Sequence, residues 1–272
     1  WQSAMTALGG RDYSAAASLL QEYLKEDPRG RLPKALAALG EALLSLDAVD
    51  EAIDVLKKCI DRHPRDMAAL RARLLASQTY LEKGDLPAAE RLLEENLSGD
   101  SLTPASREYR ESLLAFARLL HRTKRYDEAI ARLEEAVNRY PTLRQTLEAR
   151  YLLADCHRQK ALDEREKLKN DLVEQSRGAR VQRIRGELSS SLESYRQAQQ
   201  SLLKWQETKP LRSVEKLMLR NTYYFIGSVL FDLGQYDAAI QSYSRAVNRY
   251  PNTPETLEAH VQMARAYRAL KK

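Results

Sequence analysis

Four arginines, Arg177, Arg180, Arg183 and Arg185, fall within nine residues of "SRGARVQRIR" with no acidic side chain among them. Such a run can face an anion: an acidic protein surface, a lipid headgroup or a nucleic-acid backbone. Side chains able to do covalent chemistry are sparse. His63, His121, His157 and His260 are scattered without ligand spacing, and Cys59 and Cys156 show no CxxC pattern. Cys156 and His157 are neighbours, yet consecutive residues of a helix point in different directions. There is no Gly-rich phosphate loop, HExxH helix or GxSxG elbow. Acidic stretches such as "EREKLKND" fit ordinary i,i+4 pairing on solvated helix faces. These observations point away from an enzyme and imply no metal or cofactor, and both cysteines read as small core residues.

The elements that carry these residues are helical. The 272 residues are 43% hydrophobic and 30% charged, with only ten Gly and nine Pro. Few breakers and abundant Ala, Leu, Glu and Arg favour an all-α protein. No apolar run approaches the roughly 20 residues that cross a bilayer. Lys and Arg total 44 against 38 Asp and Glu, a formal charge of +6. With no aromatic residues interleaved in the basic run, that balance disfavours nucleic acid as a partner. The chain opens at Trp1, inside an apparent helix, and so reads as a piece of a longer polypeptide.

"YDAAIQSYSRAVNRYP" at residues 236–251 nearly repeats "YDEAIARLEEAVNRYP" at 126–141. In the later copy Tyr236, Ala239, Tyr243 and Ala246 precede Pro251, and Tyr223, Ile226, Gly227 and Leu230 stand before the turn at Gly234. Small residues at crossings, flanked by larger apolar ones, suit tight antiparallel packing, and proline ends the helix. The register recurs upstream. Leu39, Gly40 and Leu43 precede Ala52, Leu56, Cys59 and Pro64; Phe116, Ala117 and Leu120 precede Ala129, Leu133, Ala136 and Pro141. Weaker copies contain Tyr13, Ala16, Leu20, Tyr23 and Pro28, and Tyr80, Gly84, Asp85, Ala89 and Leu93 before "LSGDSLTP".

The pattern resembles the tetratricopeptide repeat, a helix–turn–helix unit of about 34 residues. It implies a single α-solenoid over residues 1–272: a right-handed superhelix of about six antiparallel helix pairs, plus a terminal helix from about Pro254 to Leu270. That last helix reads either as a polar cap or as the first half of a seventh unit. The Tyr-Pro joints "YPNTPETLEA" and "YPTLRQTLEA" are similar to those of bacterial outer-membrane assembly lipoproteins, which favours a periplasmic envelope location over the cytoplasm.

One stretch breaks the period. Pro141 and Pro210 are 69 residues apart, where a unit with this linker takes about 37. The excess lies between the two helices of the fifth unit, whose later part holds Ala198, Leu202 and Trp205. Val181, Ile184, Leu188 and Leu192 step by three and four, the stripe of a one-faced helix. Residues 160–192 therefore predict a projecting helical hairpin that turns near Gly178 and carries the four arginines at its tip.

By resemblance, a concave groove is lined by the first helix of each unit. Its outward residues include Glu41, Gln78, Arg118, His121, Arg122, Tyr151, Asp155, Arg158, Tyr224, Ser228 and Phe231. Arg118, His121, Arg122 and Arg158 predict a positive cluster, and Tyr151, Tyr224 and Phe231 predict an aromatic surface beside it. Chaperone-binding relatives hold a peptide carboxylate with asparagines at places occupied here by Ala37, Glu41 and Gln78, so that clamp is not expected. The leading reading is a protein-interaction scaffold that binds an acidic, apolar-anchored protein or peptide segment in the groove. The alternative is an assembly module that docks through the hairpin and convex face, with nucleic-acid binding as a minor third. The pattern sets no oligomeric state.

Overall fold

The computed structural model describes residues 1–26, 30–98 and 104–271. Pro28, Lys272 and all but the ends of "LSGDSLTP" lie outside the described residues. Among those described, the chain forms thirteen helices and no strand. Two compact units divide it, Trp1–Leu119 and Leu120–Lys272. The first holds α1 (Gln2–Gly9), α2 (Tyr13–Lys25), α3 (Leu32–Ser45), α4 (Val49–Arg62), α5 (Met67–Lys83), α6 (Leu86–Ser98) and most of α7 (Arg107–Arg122). The second holds α8 (Tyr126–Arg139), α9 (Gln145–Lys169), α10 (Glu174–Thr208), α11 (Ser213–Asp232), α12 (Tyr236–Arg249) and α13 (Pro254–Ala269). In chain order these are six pairs and one further helix, as the repeat register implies.

Each kind of helix has its own stop signal. The second helices α4, α8 and α12 begin with acidic residues (Asp50 and Glu51, Asp127 and Glu128, Asp237) and end on Arg62, Arg139 and Arg249. That polarity complements the helix dipole at both ends, and Pro64, Pro141 and Pro251 follow within two residues. The first helices other than α9 end instead on a residue with left-handed backbone: Arg11, Asp47, Gly84, Lys124 and Gly234, at φ of 62, 62, 81, 61 and 77°. Only two of these are glycine, so the other turns hold a side chain in a conformation that costs about 1 kcal/mol. Lys271, after α13, adopts the same φ of 55°. Leu257 of α13 is 74% exposed, whereas Leu147, at the same place in the "TLEA" of α9, is buried against Leu202 of α10. In register and termination α13 resembles the first helices of the preceding pairs.

Pairs close where a small residue meets a large one. A Cβ on Gly227 of α11 would lie 2.8 Å from the Tyr243 ring of α12, and a Cβ on Gly40 of α3 would fall inside the Leu56 side chain of α4. Tyr243 and Leu56 are both buried. Within each unit, first helices also neighbour one another: α3 packs on α5, and α11 on both α9 and α13. One face of each unit is thus made of first helices.

α9 and α10 form the long antiparallel hairpin. Ile184, Leu188 and Leu192 are buried along it, while Val181 is exposed. The turn spans residues 170–173, not Gly178, which sits inside α10. Asp171 decides this. Its carboxylate accepts from the Val173 amide at 3.2 Å and from the Ser176 hydroxyl, fixing the turn ahead of α10 before the glycine is reached. Arg165 ties the hairpin to Asp232 of α11 at 2.9 Å, and Lys160 links Glu187 at 2.5 Å with Asp127 of α8 at 2.7 Å.

The packing rule makes a paired prediction. Gly227→Val should destabilise the protein by about 3 kcal/mol in urea unfolding, because the Tyr243 ring has nowhere to move. Gly186→Ala, in open space on α10, should instead gain about 1 kcal/mol from helix propensity.

Candidate functional site

In the first unit, α1, α3 and α5 converge on a cavity of about 290 Å³. Its floor is Ala37, Ala38 and Ala68, all buried; Trp1, Met5, Leu8 and Met67 form its walls. Met67 is 48% exposed, and Met5 is exposed beside it. The rim is charged: Lys34, Glu41, Arg71 and Glu108. Arg71 lies 3.1 Å from Glu41 and 3.4 Å from Glu111, and Arg107 holds Glu111 at 2.6 Å. Glu41 is the one residue of the predicted groove set that lines this cavity. Gln78 and Arg118 are exposed on α5 and α7 of the same unit. Ala37, at one of the clamp places, forms part of an apolar floor.

In the second unit two members of the predicted positive cluster, His121 and Arg158, meet one carboxylate. Asp155 receives His121 Nε2 at 2.8 Å, Arg158 Nη2 at 2.7 Å and the Tyr195 hydroxyl at 3.2 Å. Arg158 also stacks over Phe225, 4.4 Å from its centroid. Burial alone would push the Asp155 carboxyl up; His121 and Arg158 override it and hold the carboxyl at about 2. Tyr151 packs edge-on to Tyr195 at 5.9 Å. Arg122 is exposed. Tyr224 is a core residue and not a groove residue: it is buried, and its hydroxyl meets the Tyr250 carbonyl, Thr253 and Thr256 at 3.0–3.1 Å. Its position in the helix puts it over the α12–α13 joint, which the spacing of α11 alone does not reveal. Ser228 bonds Tyr243, and Phe231 lies against Tyr236 at 5.3 Å, so both face the second helix of their own pair.

The arginines of the hairpin tip fold back on it. Arg180 bridges Asp171 at 2.8 Å and Glu164 at 2.9 Å, and Arg183 reaches Glu164 at 3.2 Å. Arg177 donates to the carbonyls of Leu168 and Asp171, the free end of α9. Arg185 is exposed, and the tip itself is apolar: Leu172 is 95% and Val173 62% exposed. A local count of arginines misses the carboxylates that the turn brings across from α9.

Burial pushes the Cys59 thiol up to about 11 and Cys156 up to about 12, far from the thiolate a nucleophile needs. Among the described residues no cluster of His, Cys, Asp or Glu could hold a metal, and no helix is long and apolar enough to cross a membrane.

Models of the tetratricopeptide repeat match residues 7–74, 74–143, 114–178 and 221–253, most of the chain. The chain belongs to the tetratricopeptide repeat family. Solved structures agree on the fold. The crystal structure of YrrB, described as a TPR protein with an unusual peptide-binding site, aligns with a TM-score of 0.63 at 14% identity over 90% of this chain and 99% of that one. The C-terminal part of a TPR protein from Cytophaga hutchinsonii aligns with a TM-score of 0.64 at 12% identity, over 94% and 84%. No curated protein matches. The tetratricopeptide fold supports interaction scaffolds in general; in this member the first unit contains an apolar cavity and the second a compensated polar network.

The network makes a pH prediction. Asp155 titrates lower when folded than unfolded, so its contribution is complete above the unfolded value and disappears as pH falls through the folded one. Asp155→Asn should cost on the order of 2 kcal/mol at neutral pH. Its stability gap from the parent should close between about pH 4 and about pH 2 in urea titrations. A gap that stays constant across that range would contradict the network.

Proposed function

We propose that this tetratricopeptide protein is a non-catalytic scaffold that holds an apolar side chain of a partner protein segment in the cavity of α1, α3 and α5. The observation that carries this reading is the cavity's construction. A buried alanine floor is preformed by packed helices, so little ordering cost falls on the scaffold. Methionine walls adapt to side chains of different shape, and Trp1 supplies a large rigid contact beside them. Lys34, exposed and without an ion pair among the described residues, favours an acidic flank on the partner. The neighbouring Arg71 is held by two carboxylates and serves as a fixed rim.

A second reading rests on the hairpin tip. Exposed Leu172 and Val173 at the end of a braced projection fit an assembly module that docks through the hairpin. One experiment separates the two. Peptides selected from a randomised library on the intact chain would be titrated against Met67→Glu and against a chain whose residues 165–187 are replaced by a short turn. The cavity reading expects Met67→Glu to weaken binding by about tenfold or more, the effect of a buried unpaired charge, and the hairpin deletion to leave it unchanged. The reverse pattern would make this an assembly module.

A further inference from the structure

Away from the first-helix face, the second unit contains another cavity, of about 330 Å³, where the joint after α8 meets the start of α9 and the end of α10. Trp205 forms one wall and Leu147 backs it; Arg150 and Lys204 stand at its edge with the hydroxyls of Thr142 and Ser201. No acidic residue lines it. Several cations of this unit are held by carboxylates, as Arg144 is by Glu215 at 2.5 Å and Arg180 by Asp171 and Glu164. Arg150 is different: half-buried, it donates to the Pro141 carbonyl at 3.1 Å and makes no ion pair among the described residues. Burial with no compensating carboxylate pulls its guanidinium below the ordinary arginine range. Lys204 likewise has no acidic partner among them, and Lys209 lies over the Trp205 ring, 5.1 Å from its centroid. The indole Nε1 is out of solvent and has no hydrogen-bond partner among the described residues.

A half-buried cation without a counter-charge is costly to maintain, and a folded protein normally pairs it. Here the missing charge falls at the mouth of a cavity with an aromatic wall. We propose that this cavity binds an anionic peptide segment in which a carboxylate neighbours an apolar side chain. The apolar group lies against Trp205 and Leu147, and the carboxylate takes the guanidinium of Arg150 with Lys204 beside it. Guanidinium and carboxylate match in shape and charge, which gives the site direction as well as affinity. The site is separate from the α1–α3–α5 cavity, so either can fail alone.

N-acetyl-phenylalanine is a suitable probe, with its neutral amide as control. The indole N–H resonance of Trp205, assigned with Trp205→Phe, reports on this cavity, and that of Trp1 reports separately on the α1–α3–α5 cavity. The acid should shift the Trp205 resonance with a dissociation constant on the order of 1 mM, and the amide should bind far more weakly. Arg150→Gln should weaken binding of the acid by about tenfold. Lys204→Gln, on an exposed side chain, should weaken it by a smaller factor and keeps the test intact if the Arg150 variant folds poorly. Acid and amide acting alike, no shift of Trp205, or folded variants that both bind as the parent does would overturn the proposal.

Discussion

Where Gly227 faces Tyr243, even a methyl group would meet the ring at 2.8 Å, and Gly40 faces Leu56 under the same restriction. That close approach lets a large side chain of the second helix lie flat against the backbone of the first. At the fifth unit the same approach is made at Ala154, whose carbonyl accepts the Ser191 hydroxyl at 2.9 Å. The repeat exists because this contact must be made once per pair, and each pair leaves its first helix beside the next. The alanine floor of the α1–α3–α5 cavity is the same choice of small residues, turned toward open space.

Charge is spent mainly on holding helices in place. Asp155 gathers His121, Arg158 and Tyr195 from three helices, and Glu164 and Asp171 gather Arg180 and Arg183 across the hairpin. These groups satisfy one another and contribute little long-range field, so a partner gains more from apolar contact than from steering. Lys34 at one cavity and Arg150 and Lys204 at another have no ion pair among the described residues and stand beside apolar walls, so they carry more meaning than the net charge of the chain.

The helices, their pairing and their family were legible in the sequence because period and residue type repeat: an Ala at the crossing, a large apolar residue four places later and a Pro at the end suit one packing arrangement. Side-chain direction was less legible. Tyr224 follows Tyr223 by one residue, and only the α12–α13 joint decides that its hydroxyl belongs inside. Gly178 is a strong local turn signal, whereas the turn held by the Asp171 carboxylate through Val173, Ser176 and Arg180 needs the geometry of both helices. The two cavities were invisible for a similar reason. Met5 and Met67, or Arg150 and Trp205, are ordinary residues until the fold places them together.

The central claim is that the first-helix cavity, and not the hairpin tip, is where this scaffold meets its partner. Site-specific photo-crosslinking tests it directly, with a photoreactive phenylalanine analogue at position 67 in one chain and at position 172 in another, each exposed to lysate of the source cells. The account predicts a discrete crosslinked partner from position 67 that is suppressed by excess unlabelled chain. Crosslinking confined to position 172 would contradict it.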